Sequence, residues 1–148
     1  MSNNRLIKLL LVEDDLGDSD LLEEAFADSL YPVKISLVRD GLQAIAYLQR
    51  QDEYANATLP DLILLDLNLP YMGGQEVLQN IKSNHEFNHI PVIVLSTSDS
   101  QEEILTAYKL GANSYLCKPL GLQEFIQLIR TIENYWFTVV KLPSLEHQ

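Results

Sequence analysis

The sequence predicts an α/β domain: a doubly wound parallel sheet of five strands with helices on both faces. Three observations carry this. Five short apolar runs alternate with five stretches of helical periodicity. One run, Leu62-Ile63-Leu64-Leu65, is continuously apolar, as a strand buried on both faces requires. Four of the runs end at polar groups, and the carboxyl ends of strands are where open parallel sheets gather their ligand sites.

The elements follow in chain order. Ile7 to Val12 is an apolar strand interrupted only by Lys8, and it ends at Glu13-Asp14-Asp15. Leu16 to Ser29 reads as a helix with Leu21, Leu22, Ala25 and Phe26 on one face, and Pro32 breaks it. Val33, Ile35 and Leu37 alternate inward in a second strand, Val33 to Val38. Asp40-Gly41 turns into a helix to about Arg50, with Leu42, Ile45, Ala46 and Leu48 inward. Residues 51–60 form a polar connection. The third strand, from Leu62, runs into Asp66, and Pro70 closes the run after Leu67-Asn68-Leu69.

Tyr71 to Gly74 is a loop, and a helix from about Gln75 to Ser83 carries Val77, Leu78 and Ile81. After a polar stretch, Asn84 to His89, Pro91 opens a fourth strand, Val92 to Leu95, which ends at Ser96-Thr97-Ser98. Asp99 or Ser100 caps a helix to about Leu110, and Gly111 stops it. The fifth strand, Ser114 to Cys117, ends at Lys118-Pro119, with Cys117 expected as a small core side chain. A last helix runs from about Leu122 to Val139. Residues 1–148 are expected to form a single domain, with its core over about 6–138 and a tail at 139–148.

Composition narrows the function. Ten basic residues against 21 acidic ones give a net charge of -11. That surface disfavours nucleic acid and anionic membranes. The single Cys117 cannot form an internal disulfide, and no signal peptide or membrane-length apolar run is present, so a cytoplasmic setting is expected.

The polar residues at the strand ends define a site. With the flavodoxin-like order 2-1-3-4-5, strands one and three are neighbours and the switch point lies between them. Glu13, Asp14 and Asp66 then converge. Three unpartnered carboxylates repel one another, and a hard divalent cation such as Mg²⁺ relieves this. Lys118 and the Ser96 hydroxyl can hold an anion alongside. Acids, a metal, a hydroxyl and a lysine around one Asp suit phosphoryl transfer, and Asp66 can itself be the nucleophile.

At this point the chain resembles the receiver domain of two-component response regulators, over about residues 6–138. The resemblance rests on Leu11-Val12-Glu13-Asp14-Asp15, on Leu65-Asp66-Leu67-Asn68-Leu69-Pro70 followed by Gly73-Gly74, on Ser96-Thr97, and on Tyr115 before Lys118-Pro119. Within the family it looks most like the small single-domain regulators paired with cyanobacterial phytochrome kinases.

The resemblance implies roles for matching residues. Asp66 accepts a phosphoryl group from a histidine kinase. Asp14, Asp66 and the backbone carbonyl of Asn68 ligate Mg²⁺, and Glu13 acts through a metal-bound water. Lys118 pairs with the phosphate, Ser96 hydrogen-bonds it, and Tyr115 changes rotamer in step. The Lys118–Pro119 peptide is often cis in the family. The chain is expected to catalyse only its own phosphorylation from small phosphodonors and its own dephosphorylation. It is expected to carry no output domain, so that its output is contact with a downstream protein, relay or storage of phosphate.

Plainer readings stand beside these. Ser96 can be an ordinary strand-end hydroxyl and Tyr115 a half-buried core residue. Asp18, Asp20, Glu23, Glu24 and Asp28 read as the solvated face of the first helix. His85 and His89 have a metal-like spacing but sit in a loop, so they read as surface residues.

In the last helix, Leu122, Phe125, Ile126, Ile129, Ile132 and Trp136 form a core stripe. Tyr135, Phe137, Val139, Val140 and Leu142 add apolar surface. Either this tail covers its own sheet edge, or it builds a homodimer with the fourth and fifth helices. The resemblance favours the homodimer. Ser144 to Gln148 are expected to be disordered. Two other functional classes remain open: a phosphate-independent pseudo-receiver, and a haloacid-dehalogenase-like phosphohydrolase. The second would carry another Asp where Asn68 stands.

Overall fold

A computed structural model describes residues 6–143 of the chain. Five parallel strands form one sheet: β1 (Ile7–Val12), β2 (Val33–Val38), β3 (Leu62–Asp66), β4 (Val92–Ser96) and β5 (Ser114–Cys117). Their order is β2-β1-β3-β4-β5, as the sequence predicts. Five helices connect and cover them: α1 (Leu16–Ala27), α2 (Gly41–Gln49), α3 (Gly74–Ser83), α4 (Gln101–Lys109) and α5 (Leu122–Asn134).

The period of two along each strand divides the apolar runs between two cores. Leu10, Val12, Ile63, Leu65, Val92 and Val94 pack under α2, α3 and α4. Leu9, Leu11, Leu62, Leu64, Ile93 and Leu95 pack under α1 and α5. A strand covered on both faces has no polar side to show, which is why Leu62 to Leu65 reads as a continuous run. Register then fixes the site. Val12 pairs with both Val38 and Leu65, Asp66 with Leu95, and Ser96 with Cys117. The polar residues that end β1, β3, β4 and β5 therefore emerge along one edge of the sheet.

Short-range chemistry sets the helix ends. Asp15 Oδ1 accepts from Gly17 N at 3.1 Å and Asp40 Oδ1 from Gln43 N at 2.8 Å. Ser100, rather than Asp99, caps α4, its hydroxyl accepting from Glu103 N at 3.4 Å. Gly111, at φ 108°, turns the chain out of α4 in the left-handed region that glycine adopts freely.

Several side chains depart from the sequence reading. Leu42 points outward, 56% exposed, and α2 packs instead through Gly41, Ala44 and Leu48. A Cβ on Gly41 would lie 2.3 Å from the Met72 carbonyl oxygen, so small residues bring this helix close and turn Leu42 away. Leu122, in the first turn of α5, is also exposed. Cys117 is exposed, because the short edge strand β5 leaves its last residue uncovered. The polar connection at 51–60 contains a 3₁₀ turn, Asp52–Tyr54, and the ring of Tyr54 packs on Tyr47 at 5.3 Å between centroids.

The last helix changes winding before its expected end. After α5 the chain continues as a π-helical turn, Tyr135–Val139, with Val140 N donating to Tyr135 O. This turn brings Phe137 against Phe26, 6.1 Å between centroids, and Tyr31, 6.0 Å. Part of the apolar tail thus covers the α1 side of the molecule. The expectation for Ser144 to Gln148 falls outside the described residues. None of the described helices is long and apolar enough to cross a membrane.

Candidate functional site

Asp66 is the last residue of β3, a strand buried along its whole length, and its side chain stays buried at the carboxyl end of the sheet. Its Oδ1 accepts from Asn68 N at 3.0 Å, which ties the carboxylate to the following loop. Gly74 lets α3 start directly against that loop. A Cβ there would lie 2.4 Å from Leu67 Cα and 2.7 Å from the Asp66 carbonyl oxygen.

On the neighbouring strand, Glu13 is 1% exposed and Asp14 is exposed. Glu13, Asp14 and Asp66 each offer a carboxylate oxygen, and these three atoms lie within 4.8 Å of one another. The backbone around Glu13 is fixed from behind. Arg39 Nη1 donates to Glu13 O at 3.4 Å and to Ser19 Oγ at 2.8 Å, which joins the end of β2 to β1 and α1.

Lys118 enters from the end of β5, its backbone N–H donating to Ser96 O at 2.7 Å. Its ammonium reaches Glu13 Oε1 at 2.8 Å, Asp18 Oδ2 at 2.9 Å and Asp66 Oδ2 at 3.3 Å. Burial alone would lower its pKa; hydrogen bonds to Glu13 and Asp18 outweigh burial and hold the ammonium above its ordinary value. The Glu13 carboxyl is also shifted upward, which for an acid favours the neutral form. Burial pushes it from 4.5 up to about 8, Asp66 adds to the rise, and Lys118 opposes it. The cluster therefore holds more negative charge than one lysine balances.

That imbalance, with oxygen as the only donor type, fits a hard divalent cation held by Glu13, Asp14 and Asp66. Such an ion would supply the missing positive charge at the mouth of the pocket.

Ser96 is buried at the end of β4, the strand next to β3, its hydroxyl accepting from Ser98 N at 3.1 Å. Tyr115 stands apart from the carboxylates. It is half-buried, and its hydroxyl donates to Ser98 O at 2.9 Å. Ser98 thus links the two. Asn68 is exposed in the loop after Asp66. No described peptide bond is cis, so Lys118–Pro119 is trans here, contrary to the frequent family form. Proline makes the two forms close in energy, within about 1 kcal/mol. His85 is exposed and His89 half-buried, away from the carboxylate cluster.

The sequence reading missed Asp18, which it assigned to solvent. A signal was present. Asp18, Leu22 and Phe26 are spaced by four, so Asp18 extends the buried stripe of α1 toward the strand ends.

Comparison with known proteins gives one family. The response regulator receiver domain matches residues 9–130. The response regulator Rcp1 of Synechocystis is 43% identical over 136 residues, covering 92% of each chain. The phosphorylated cyanobacterial phytochrome response regulator RcpA superposes with a TM-score of 0.91 at 46% identity, covering 95% of this chain and 100% of that one. The Mn²⁺-bound form of Rcp1 superposes with a TM-score of 0.89 at 43% identity, over 93% and 99%.

Proposed function

The chain belongs to the response regulator receiver domain family, and from that premise we propose that it is a phosphoacceptor switch working on Asp66 with Mg²⁺. Its partner is a histidine kinase, of the phytochrome type, and its setting is cytoplasmic. The observation that carries the reading is the meeting of Asp66 with Glu13, Asp14 and Lys118 at the end of β3.

In this reading a carboxylate oxygen of Asp66 attacks the phosphorus of a phosphohistidine. The new P–O bond forms as the P–N bond breaks, and its electron pair returns to the imidazole nitrogen. Mg²⁺, held by Asp14 and Asp66 with the Asn68 carbonyl and, through water, Glu13, would offset charge on the phosphoryl oxygens. Lys118 lies 3.3 Å from the Asp66 carboxylate and supplies a second positive group. Ser96, buried and close by, then donates its hydroxyl to the phosphoryl group, and Tyr115 responds through Ser98. The changed surface is the face of α4, β5 and α5, which a downstream protein reads.

Exposed Leu105, Tyr108, Leu122, Tyr135 and Val139 on α4, α5 and the turn after it support a homodimer through the same face. A molecular mass in sedimentation that stays monomeric at all concentrations would exclude it.

The test of the function is intact mass after incubation with acetyl phosphate and Mg²⁺, with Asp66→Asn beside the wild type. A single phosphoryl adduct on the wild type alone, abolished by EDTA, is expected. No adduct on either protein would favour a phosphate-independent interaction module. An adduct on both would name a different acceptor.

A further inference from the structure

The Lys118 ammonium has three N–H bonds, and three carboxylates take them: Glu13, Asp18 and Asp66. The lysine side chain is 6% exposed, which leaves little space for a fourth partner. Glu13 and Asp66 also belong to the cluster that can hold a cation; Asp18 does not. An oxygen of a phosphoryl group on Asp66 can engage Lys118 only if one N–H is given up.

The three carboxylates differ in what release would cost. Glu13 is 1% exposed, and freeing it would leave a buried polar group without its partner. Asp66, at 3.3 Å the longest of the three contacts, carries the phosphoryl group itself, so the N–H it releases passes to a phosphoryl oxygen and a second such contact needs another N–H. Asp18 is 29% exposed and enters from the rim of the pocket on α1, so water can solvate it on release. We propose that Asp18 is a positioning residue that holds Lys118 in the unphosphorylated protein and competes with the phosphoryl group for it.

The inference rests on Asp66 being the phosphoacceptor. Asp18 then sets how tightly the pocket takes an incoming phosphoryl anion, although it touches neither the metal cluster nor the acceptor. Neutralising it removes both the competitor for Lys118 and one negative charge at the pocket mouth.

The test is binding of beryllofluoride, a non-covalent phosphoryl mimic, in Mg²⁺ by titration, together with the half-saturating acetyl phosphate concentration for adduct formation. Asp18→Asn keeps the shape of the side chain. It should tighten beryllofluoride by about fivefold, the size of one partly exposed ion pair, and lower the acetyl phosphate requirement similarly. Asp18→Ala should shift both the same way, whereas Asp18→Glu should stay near wild type. Asp20→Asn removes the same charge from an exposed position of α1 and should move both values far less.

Unchanged or weaker binding in Asp18→Asn and Asp18→Ala, with adduct still formed on Asp66, overturns the proposal. So does an equal gain in Asp20→Asn, which would make the effect one of general charge. A wild type that takes up neither probe overturns the phosphoacceptor reading, and this proposal with it.

Discussion

The Tyr115 hydroxyl donates to the carbonyl oxygen of Ser98 at 2.9 Å. The N–H of Ser98 donates in turn to Ser96 Oγ at 3.1 Å. One residue of the β4–α4 loop therefore joins the buried hydroxyl at the end of β4 to the half-buried ring on β5. If the Ser96 hydroxyl turned toward a group on Asp66 it would release the Ser98 N–H and loosen the residue to which Tyr115 is hydrogen-bonded.

This chain predicts the behaviour of Ser96→Ala. The variant should still gain one phosphoryl group, because Asp66, Lys118 and the carboxylates are untouched. Its Tyr115 should no longer respond. With ¹³C-labelled tyrosine, wild-type ring signals of Tyr115 should shift on adding beryllofluoride and Mg²⁺, and those of the variant should not. A wild-type shift in the variant would remove Ser96 from the coupling. Tyr115→Phe, which lacks the donor, should cost about 1 kcal/mol in urea unfolding.

Glu13 predicts how stability depends on pH in the absence of divalent metal. Its folded value of about 8 lies above the unfolded 4.5, so the folded state binds this proton more tightly. The contribution is complete below pH 4.5 and is lost as pH rises through 8. Lys118, held above its ordinary value, stays charged in both states throughout that window and adds no slope of its own. Urea unfolding in EDTA should therefore show a fall on the order of 3 kcal/mol between pH 5 and 8. Saturating Mg²⁺ should shrink the fall. Glu13→Gln should flatten it, and an unchanged slope in that variant would assign the effect to other groups.

Gly74 and its neighbour Gly73 make a matched pair. A Cβ at Gly74 meets the backbone of Leu67 at 2.4 Å, whereas one at Gly73 meets nothing within 4 Å. Backbone cannot swing aside as a flexible side chain can. Gly74→Ala should cost about 2–3 kcal/mol and displace the loop that carries the Asp66 contact to Asn68 N. Gly73→Ala should be close to neutral when the two variants are compared by calorimetry. Equal costs would mean that helix entry, not the close approach, limits this turn.

What the sequence made legible follows from how locally each feature is encoded. β3 was readable because covering both faces of the sheet forces every residue from Leu62 to Leu65 to be apolar, and the edge strand β2 because Val33, Ile35 and Leu37 alternate. The positions of Glu13, Asp14, Asp66 and Lys118 at strand ends followed from the same reading, since a parallel sheet brings all such ends to one edge. Leu42 misled because hydrophobicity gives no weight to Gly41 and Ala44, whose smallness is what draws α2 inward. Asp18 misled because its partner, Lys118, lies 100 residues away. In a run of acids its charge looked like a wet face, although its spacing from Leu22 and Phe26 pointed inward. The π-helical turn at Tyr135–Val139 left no local mark; it shows only through the packing of Phe137 on Phe26 and Tyr31.

A buried acid on α5 offers a test away from the carboxylate pocket. Glu133, 3% exposed on α5, receives both of its contacts from Arg130 Nη1, at 3.1 and 3.2 Å. The same nitrogen donates to Ala25 O at 2.9 Å and so clasps α5 to α1. Arg130→Met keeps most of the apolar stem but leaves a buried carboxylate without a cation. Removing one partner of a fully buried pair costs about 3–5 kcal/mol. Arg130 is 33% exposed, so solvent screening should reduce the loss to about 2 kcal/mol. Adding Glu133→Gln should recover part of this, because the amide needs hydrogen bonds but no counter-charge. A double-mutant cycle in urea measures the coupling. If Arg130→Met alone costs less than about 0.5 kcal/mol, the clasp is a contact without weight, and α1 and α5 are held by Phe26, Ile129 and Phe137 instead.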